Sequence, residues 1–177
     1  MPQQKSKPLD LRHIIIYALL GSVMFASKKI MEVIPNVHLL GMLIMSYTLV
    51  YRKYALIPIY LYILLDGIFF GFPPAWVPYL YIWAVLWGAT MLLPKNMPPK
   101  IAIPVYVIVC GLHGLCFGLL YAPGQMLLFH MSFKALPLWL ASGLPYDLIH
   151  CISNCCMALL ILPLSNLLRK LDAGKLS

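Results

Sequence analysis

The sequence predicts an all-α integral membrane protein, with six transmembrane helices in a compact bundle and both termini in the cytoplasm. Its residues are 62% apolar and only 10% charged, with a mean hydropathy of +0.87. Ordinary soluble domains are roughly half apolar and about a quarter charged. Successive apolar runs of about 18–23 residues also match the roughly 20 residues that a helix needs to cross a bilayer. The composition therefore argues against a soluble domain.

Prolines and basic residues between the apolar runs set the predicted boundaries, as at Pro35-Asn36 and Arg52-Lys53. We predict a cytoplasmic tail at 1–12, a transmembrane domain at 13–168 and a second cytoplasmic tail at 169–177. The six helices are expected at 13–33, 37–51, 54–72, 75–93, 101–121 and 145–168. Residues 122–144, which are rich in Pro, Gly and Phe, are expected to form a connection.

The positive charges indicate topology, because the net charge of +8 is spread over residues that flank apolar segments. This placement argues against nucleic-acid binding. The basic residues expected on one side of the membrane are Lys5, Lys7, Arg12, Arg52, Lys53, Lys95, Lys100, Arg169, Lys170 and Lys175. Lys134 lies in a loop on the other side, and Lys28 and Lys29 lie near that end of the first helix. Loops rich in Lys and Arg remain in the cytoplasm, so both tails are expected there.

Asp147, His150 and Asn154 form the first candidate site, at the start of the last predicted helix. Their i, i+3 and i+7 spacing places them on one helical face. Such side chains are costly in hydrocarbon, so the face is expected to border the bundle interior or a watered cavity. Asp147 has an alternative role, because a carboxylate at a helix N-terminus stabilises the helix dipole.

The outer halves of the other helices supply further candidates. Trp76, Tyr79, Trp83 and Trp87 form an aromatic stripe, in which Trp83 and Trp87 lie too deep for an interfacial belt. Core packing and stacking on a flat ligand explain those two equally well. Asn36 and His38 lie at the outer mouth, where a single histidine is more often satisfied locally than bound to a ligand.

Asp66 is a membrane carboxylate that must pair, take up a proton or meet water or a ligand. Its candidate partners are Lys28, Lys29, His38 and His113, so a structural ion pair and a ligand contact both remain open. Lys28 could also pair with Glu32 at i+4, or extend with Lys29 to the lipid headgroups. In the opposite half of the first helix, Ala18, Ser22 and Ala26 form a stripe of small residues.

Two stretches resemble the S components of energy-coupling factor (ECF) transporters, the substrate-capturing subunits of bacterial vitamin importers. They are GLPYDLIH at 143–150, followed by Asn154, and GLCFGLLYAP at 114–123. The resemblance extends over nearly the whole chain in length, helix number and terminal orientation. It implies a multi-pass protein of the bacterial plasma membrane that binds a vitamin or related small heterocycle from outside. The family's ligand pocket lies in the outer half, between helices 4–6 and the loop joining helices 1 and 2, in agreement with the placement of the candidates above. The full set of candidate binding residues is Asp147, His150, Asn154, Tyr146, Tyr79, Trp83, Asp66, His38 and Asn36.

The resemblance also implies partners, namely a transmembrane T subunit and two cytoplasmic ATPases. Ala18, Ser22 and Ala26 would face the T subunit, with serine in place of an alanine of the family motif. The chain has no GxxxxGK[ST] phosphate loop, so the ATPases would hydrolyse the ATP. We expect no metal, cofactor or enzymatic activity. The alternatives are a membrane-embedded enzyme with Asp147 and His150 as an acid/base pair, and a structural subunit without a ligand.

Overall fold

The computed structural model describes residues 10–95 and 97–174, which form eight α-helices and no strand. The predicted tail residues Lys5, Lys7 and Lys175 lie outside the described residues. Short 3₁₀ helices at Arg52–Ala55 and Pro74–Trp76 precede α3 and α4. The helices are α1 Leu11–Met31, α2 Leu40–Tyr51, α3 Leu56–Phe70, α4 Tyr79–Met91, α5 Pro99–Leu115, α6 Phe117–Leu128, α7 Leu136–Ala158 and α8 Ile161–Asp172.

Three helical stretches in the described residues are long and apolar enough to cross a membrane: Leu11–Met31, Leu40–Phe70 and Pro99–Leu128. A fourth is obtained if α7 and α8, which bend by 49° at residues 159–160, are counted as one span. The all-helical class is therefore confirmed, and the apolar helices suggest a membrane protein. The predicted number of six spans and the cytoplasmic placement of the termini stay predictions.

The first three helices alternate in direction. Tyr17 of α1 meets Tyr51 and Tyr54 at ring-centroid distances of 5.3 and 6.4 Å. Lys28, near the other end of α1, contacts Asp66 near the end of α3. Helices α1 and α3 are therefore parallel, and α2 returns between them. We call the end with the α2–α3 turn at 51–55 the basal end, and the end with the α1–α2 connection at 32–39 the apical end.

Both ends of the described chain lie at the basal end. The Arg12 guanidinium donates hydrogen bonds to the backbone oxygens of Leu171 and Asp172, at 3.0 and 3.1 Å. Helix α8 is amphipathic and buries Ile161, Ser165 and Leu168 against the bundle. The last turn of α8 is thus held beside the first turn of α1.

Glycines allow α2, α5 and α7 to approach closely. A Cβ atom added at Gly41 would lie 2.8 Å from Cys110 Sγ and 3.0 Å from Asn154 Oδ1. One added at Gly114 would lie 2.9 Å from the His150 backbone oxygen. Real Cβ atoms essentially never lie this close to a neighbour, so a larger residue at either position would force the neighbouring helix to shift. The close contact brings the polar residues of α7 against α5.

The predicted connection at 122–144 and the predicted start of the last helix at 145 were wrong. Helix α6 continues to Leu128 and α7 begins at Leu136, so only residues 129–135 connect them. Gly143 and Pro145 lie inside α7 instead of ending a loop. Neighbouring groups in a helix bundle can satisfy the backbone that a proline frees, so Pro and Gly do not break such helices. The predicted helix 145–168 is also interrupted, at the 49° bend.

Candidate functional site

Six side chains from six different elements meet at the apical end of the bundle. The connection before α2 supplies one of them, and α3, α4, α5, α6 and α7 each supply one more. We call this group the apical cluster; it consists of His38, Tyr62, Trp83, His113, Phe117 and His150.

Trp83 lies at the centre of the apical cluster and is 1% exposed. Its ring centroid is 5.9 Å from that of His38, 5.6 Å from His113 and 5.7 Å from Phe117. His150 completes the group, at 4.7 Å from His38 and 4.8 Å from Phe117. These separations are typical of aromatic contacts. The predicted residues His38, Trp83 and His150 are therefore brought together.

Most polar atoms of the apical cluster are buried without a hydrogen-bond partner among the described residues. They are His38 Nδ1, Tyr62 OH, Trp83 Nε1, His113 Nδ1, His150 Nδ1 and His150 Nε2. An exception is His113 Nε2, which lies 3.2 Å from the backbone oxygen of Ile82. Buried polar atoms in proteins are almost always hydrogen-bonded, to protein, water or ligand. The cluster can therefore offer several directed donors and acceptors to a bound molecule.

A cavity of about 130 Å³ lies beside the apical cluster. Its lining includes the aromatic residues Tyr62, Tyr79, Trp83 and Phe117, and residues 34–38 of the α1–α2 connection. We call it the inner cavity. An engineered cavity of about 150 Å³ holds benzene, so the inner cavity has room for about one aromatic ring. His150 does not line it but lies directly behind His38.

A second cavity of about 220 Å³, here the outer cavity, adjoins the inner one. Lys28, Glu32 and Tyr79 line both cavities, and Asp66 lines the outer one. Lys28 Nζ lies 2.6 Å from Asp66 Oδ1, and these side chains are 18% and 3% exposed. The predicted structural ion pair of Asp66 is therefore present, and the pair stands at the boundary of the two cavities.

The other two charged residues of this region pair differently from the expected arrangement. Lys29 forms an ion pair with Glu32 at i+3, whereas Lys28 was a candidate partner for Glu32. Lys28 Nζ instead lies 5.2 Å from the Tyr79 ring centroid and 5.9 Å from that of Tyr62. Lys28 thus points into the bundle and not to the headgroups, because Asp66 and the aromatic faces attract its ammonium group.

Asp147 lies outside both cavities. Its carboxylate accepts the Gly118 backbone N–H, at 3.1 Å to Oδ1 and 3.2 Å to Oδ2. It therefore caps the start of α6, a neighbouring helix. The alternative role of stabilising the start of its own helix was wrong, since α7 begins at Leu136. No hydrogen bond joins Asp147 to His150 in the part of the chain that the structure describes.

Two of the remaining predicted binding residues, Asn154 and Asn36, donate hydrogen bonds to backbone oxygens, and the third, Tyr146, has an exposed side chain. Asn154 is fully buried, and its amide Nδ2 donates to the Cys110 backbone oxygen at 3.0 Å. Asn36 borders the inner cavity, and its Nδ2 donates to the Tyr146 backbone oxygen at 3.3 Å. The Tyr146 side chain is 56% exposed. Of these three, Asn36 alone borders a described cavity.

Sequence reasoning did not include Tyr62, Phe117, His113 or Lys28 among the binding residues. Tyr62 lies one turn before Asp66, and Phe117 immediately follows the break between α5 and α6. These positions could have indicated that both residues belong to the site, but aromatic residues at helical spacing usually pack in the core.

The described residues contain no group of three or more His, Cys, Asp or Glu that could hold a metal ion. Ala18, Ser22 and Ala26 lie on an exposed face of α1.

Comparison with known proteins gives no match. No protein-family model matches this chain, and searches of curated proteins and of solved structures return no significant similarity. The function is therefore inferred from the residues of the chain itself.

Proposed function

We propose that this chain is a substrate-capturing S component of an ECF-type importer, which binds a vitamin-like heterocycle at its apical end. The observation that carries the proposal is the apical cluster, whose six buried polar atoms have no hydrogen-bond partner among the described residues and lie beside a cavity lined in part by aromatic rings. Small-molecule sites are typically concave and mostly apolar, with a few convergent polar groups. The resemblance of residues 114–123 and 143–150 to this family supports the same function.

The membrane orientation is part of the proposal. The chain crosses the bacterial plasma membrane six times, with the basal end in the cytoplasm and the apical end outside. The alternating directions of α1, α2 and α3 support this path, as does the contact of Arg12 with the end of α8. Basic residues at the basal end, among them Arg52, Lys53 and Lys95, support the cytoplasmic placement.

The size and chemistry of the site narrow the substrate class to a compound with one small heteroaromatic ring. The inner cavity has room for about one ring, given that about 150 Å³ accommodates benzene. The indole N–H of Trp83 is a donor only, so the ring or its substituent must present an acceptor. Each neutral histidine offers one donor and one acceptor. A polar arm of the same compound would extend past Lys28 and Asp66 into the outer cavity.

The proposed mechanism is capture and release without chemistry. Residues 34–38 of the α1–α2 connection border the inner cavity, and in this mechanism the connection moves as the substrate enters and leaves. Release requires energy from outside the chain, which a T subunit and two ATPases would supply. The exposed stripe of Ala18, Ser22 and Ala26 on α1 is the proposed contact for the T subunit.

The test uses a matched pair of tryptophan variants in the full-length protein. Trp83→Phe removes the indole donor of the apical cluster and keeps an aromatic ring. Trp87→Phe makes the same change one turn away, where the indole donates to the Arg52 backbone oxygen at 3.1 Å. Freshly purified protein is denatured, and the released small molecules are identified by mass spectrometry.

We expect a stoichiometric heterocycle from the wild type and from Trp87→Phe, and much less from Trp83→Phe. Losing one hydrogen bond to a buried polar group costs about 1–3 kcal/mol, or roughly a fivefold to hundredfold loss of affinity. Retention of nothing by the wild type would overturn the proposal. Equal retention by the two variants would show that the compound binds elsewhere.

A further inference from the structure

We propose that the basal end carries a second site, which binds the phosphate group of an anionic membrane lipid. A cavity of about 490 Å³ opens there, between the α2–α3 turn and the end of α4. We call it the basal cavity; it is lined by Tyr51, Arg52, Lys53, Tyr54, Met91 and Lys95. It is on the opposite end of the bundle from the apical cluster and does not depend on substrate capture there, but it rests on the proposed cytoplasmic placement of the basal end.

Arg52 is fixed in place by the backbone turn that it forms. It ends α2 with a φ of 53°, a left-handed value that few non-glycine residues adopt. Two hydrogen bonds hold the residue, one from its Nη2 to the Met91 backbone oxygen at 2.5 Å and one to its own carbonyl from Trp87 Nε1 at 3.1 Å. The side chain therefore stays at the wall of the basal cavity without further ordering on binding.

The rest of the Arg52 guanidinium has no partner among the described residues. Its Nε and Nη1 are buried, and neither is hydrogen-bonded. A guanidinium carries five donors in a planar fork that matches the oxygens of a phosphate. A buried charged donor without an acceptor is costly, so an anion at this position would stabilise the fold.

The remaining lining also favours an anion. Lys53 and Lys95 are exposed at the cavity, and among the described residues no carboxylate lines it. Lys53 Nζ lies 5.0 Å from the ring centroid of Tyr54, which also lines the cavity. The cavity thus combines three cations with two tyrosines, Tyr51 and Tyr54.

The source of the phosphate is indicated by where the basal cavity lies. It is at the end of a bundle whose helices are apolar enough to cross a membrane, where tyrosine rings are typical of the headgroup level. Basic pockets between helices on the cytoplasmic side bind the headgroups of anionic lipids. Arg169 of the amphipathic helix α8 also reaches this edge, with Nη2 at 3.4 Å from the Lys95 backbone oxygen. A lipid phosphate therefore fits the cavity, with its acyl chains against the bundle.

The experiment measures lipid binding to the delipidated full-length protein in a neutral detergent by native mass spectrometry. The probes are phosphatidylglycerol, phosphatidylcholine and inorganic phosphate. Lys53→Gln with Lys95→Gln removes two charges from the basal cavity. Lys100→Gln with Lys170→Gln removes two exposed charges outside it and is the matched control. Arg52→Lys keeps the charge and removes the planar fork, and circular dichroism checks that each variant folds.

We expect phosphatidylglycerol to bind the wild type and the control double variant equally. Each basic residue near an anionic lipid contributes about a fivefold gain, so the cavity double variant should bind about thirtyfold more weakly. Arg52→Lys, if folded, should also bind more weakly. Equal losses in the two double variants, or equal binding of phosphatidylcholine, would overturn the proposal. Full displacement of the lipid by millimolar inorganic phosphate would identify a free anion as the ligand and reject a lipid site.

Discussion

Neutralising one partner of the Lys28–Asp66 ion pair should destabilise the protein far more than neutralising both. The two charges lie 2.6 Å apart, and Asp66 is only 3% exposed. Asp66→Asn leaves the charged Lys28 ammonium group in the bundle without its carboxylate partner, so that only the faces of nearby aromatic rings still stabilise the charge. Removing one partner of a buried pair costs about 3–5 kcal/mol in free energy of unfolding. We expect about 3 kcal/mol here, because Lys28 is 18% exposed and keeps its cation–π contacts.

Lys28→Met should cost more, about 4–5 kcal/mol, because it strands the more deeply buried charge of Asp66. The double variant Lys28→Met with Asp66→Asn removes both charges. Replacing a buried pair with neutral residues is often neutral or stabilising, so we expect it within about 1–2 kcal/mol of the wild type. The Lys29–Glu32 pair is the control, since Glu32 is 47% exposed and Lys29→Met should cost about 0–1 kcal/mol.

The assay is reversible unfolding in mixed micelles with a rising fraction of sodium dodecyl sulfate, followed by tryptophan fluorescence. The protein is refolded without small molecules beforehand, so that ligand binding does not contribute. A cost below about 1 kcal/mol in both single variants would refute the reasoning, because exposed pairs give such values. The reasoning would also be refuted if the double variant lost as much free energy of unfolding as the two single variants together, because the effects of mutating coupled partners do not add.

Three further predictions concern packing and capping. Gly41→Ala should lower the free energy of unfolding by about 1–3 kcal/mol, since its Cβ would lie 2.8 Å from Cys110 Sγ. Gly88→Ala, where the added Cβ meets open space, should raise it by up to about 1 kcal/mol. Chemical unfolding of both variants measures the two changes. Asp147→Ala should cost about 1 kcal/mol in the same measurement by removing the cap on α6, yet leave retention of the apical ligand unchanged. Arg12→Gln should speed hydrogen exchange of the last turn of α8 with little change in global stability, because it releases the carbonyls of Leu171 and Asp172.

The first four helices could be predicted from the sequence to within a few residues at most boundaries. Their apolar runs end at adjacent prolines or at basic residues, and at these positions both kinds of residue mark the end of a helix. Arg52-Lys53, for example, begins the short 3₁₀ helix that connects α2 to α3.

The second half of the chain was harder because proline and glycine have different effects in water and within a helix bundle. Pro123 lies inside α6 and Pro145 inside α7, although both look like helix breakers in the sequence. This error displaced the candidate site. With α7 beginning at Leu136, Asp147 lies eleven residues into its helix, about 16 Å from the start. Its carboxylate therefore meets the first turn of α6 and not the mouth of a cavity.

The site could be predicted for Tyr79 and Trp83 from the aromatic stripe of α4, and for residues whose polarity makes them conspicuous in an apolar sequence. His38, His150 and Asp66 stand out in this way, and all three lie in or beside the apical region. Tyr62 and Phe117 do not, because tertiary packing alone decides whether an aromatic side chain faces the core or a cavity. The sequence also left undecided whether Lys28 points into the bundle or to the headgroups, because its direction depends on the position of α3.

The free energy of the apical cluster explains why a ligand there must be polar as well as aromatic. Each buried polar atom without a partner costs about 1–3 kcal/mol, and the cluster has six such atoms on five side chains. Such a sum is comparable with the whole stability of a typical domain, about 5–15 kcal/mol, so water or ligand must recover most of it. About four waters fill 130 Å³ at roughly 30 Å³ each. A ligand that displaces them gains affinity only if it reproduces their hydrogen bonds, so a heterocycle should bind and a hydrocarbon ring of the same size should not.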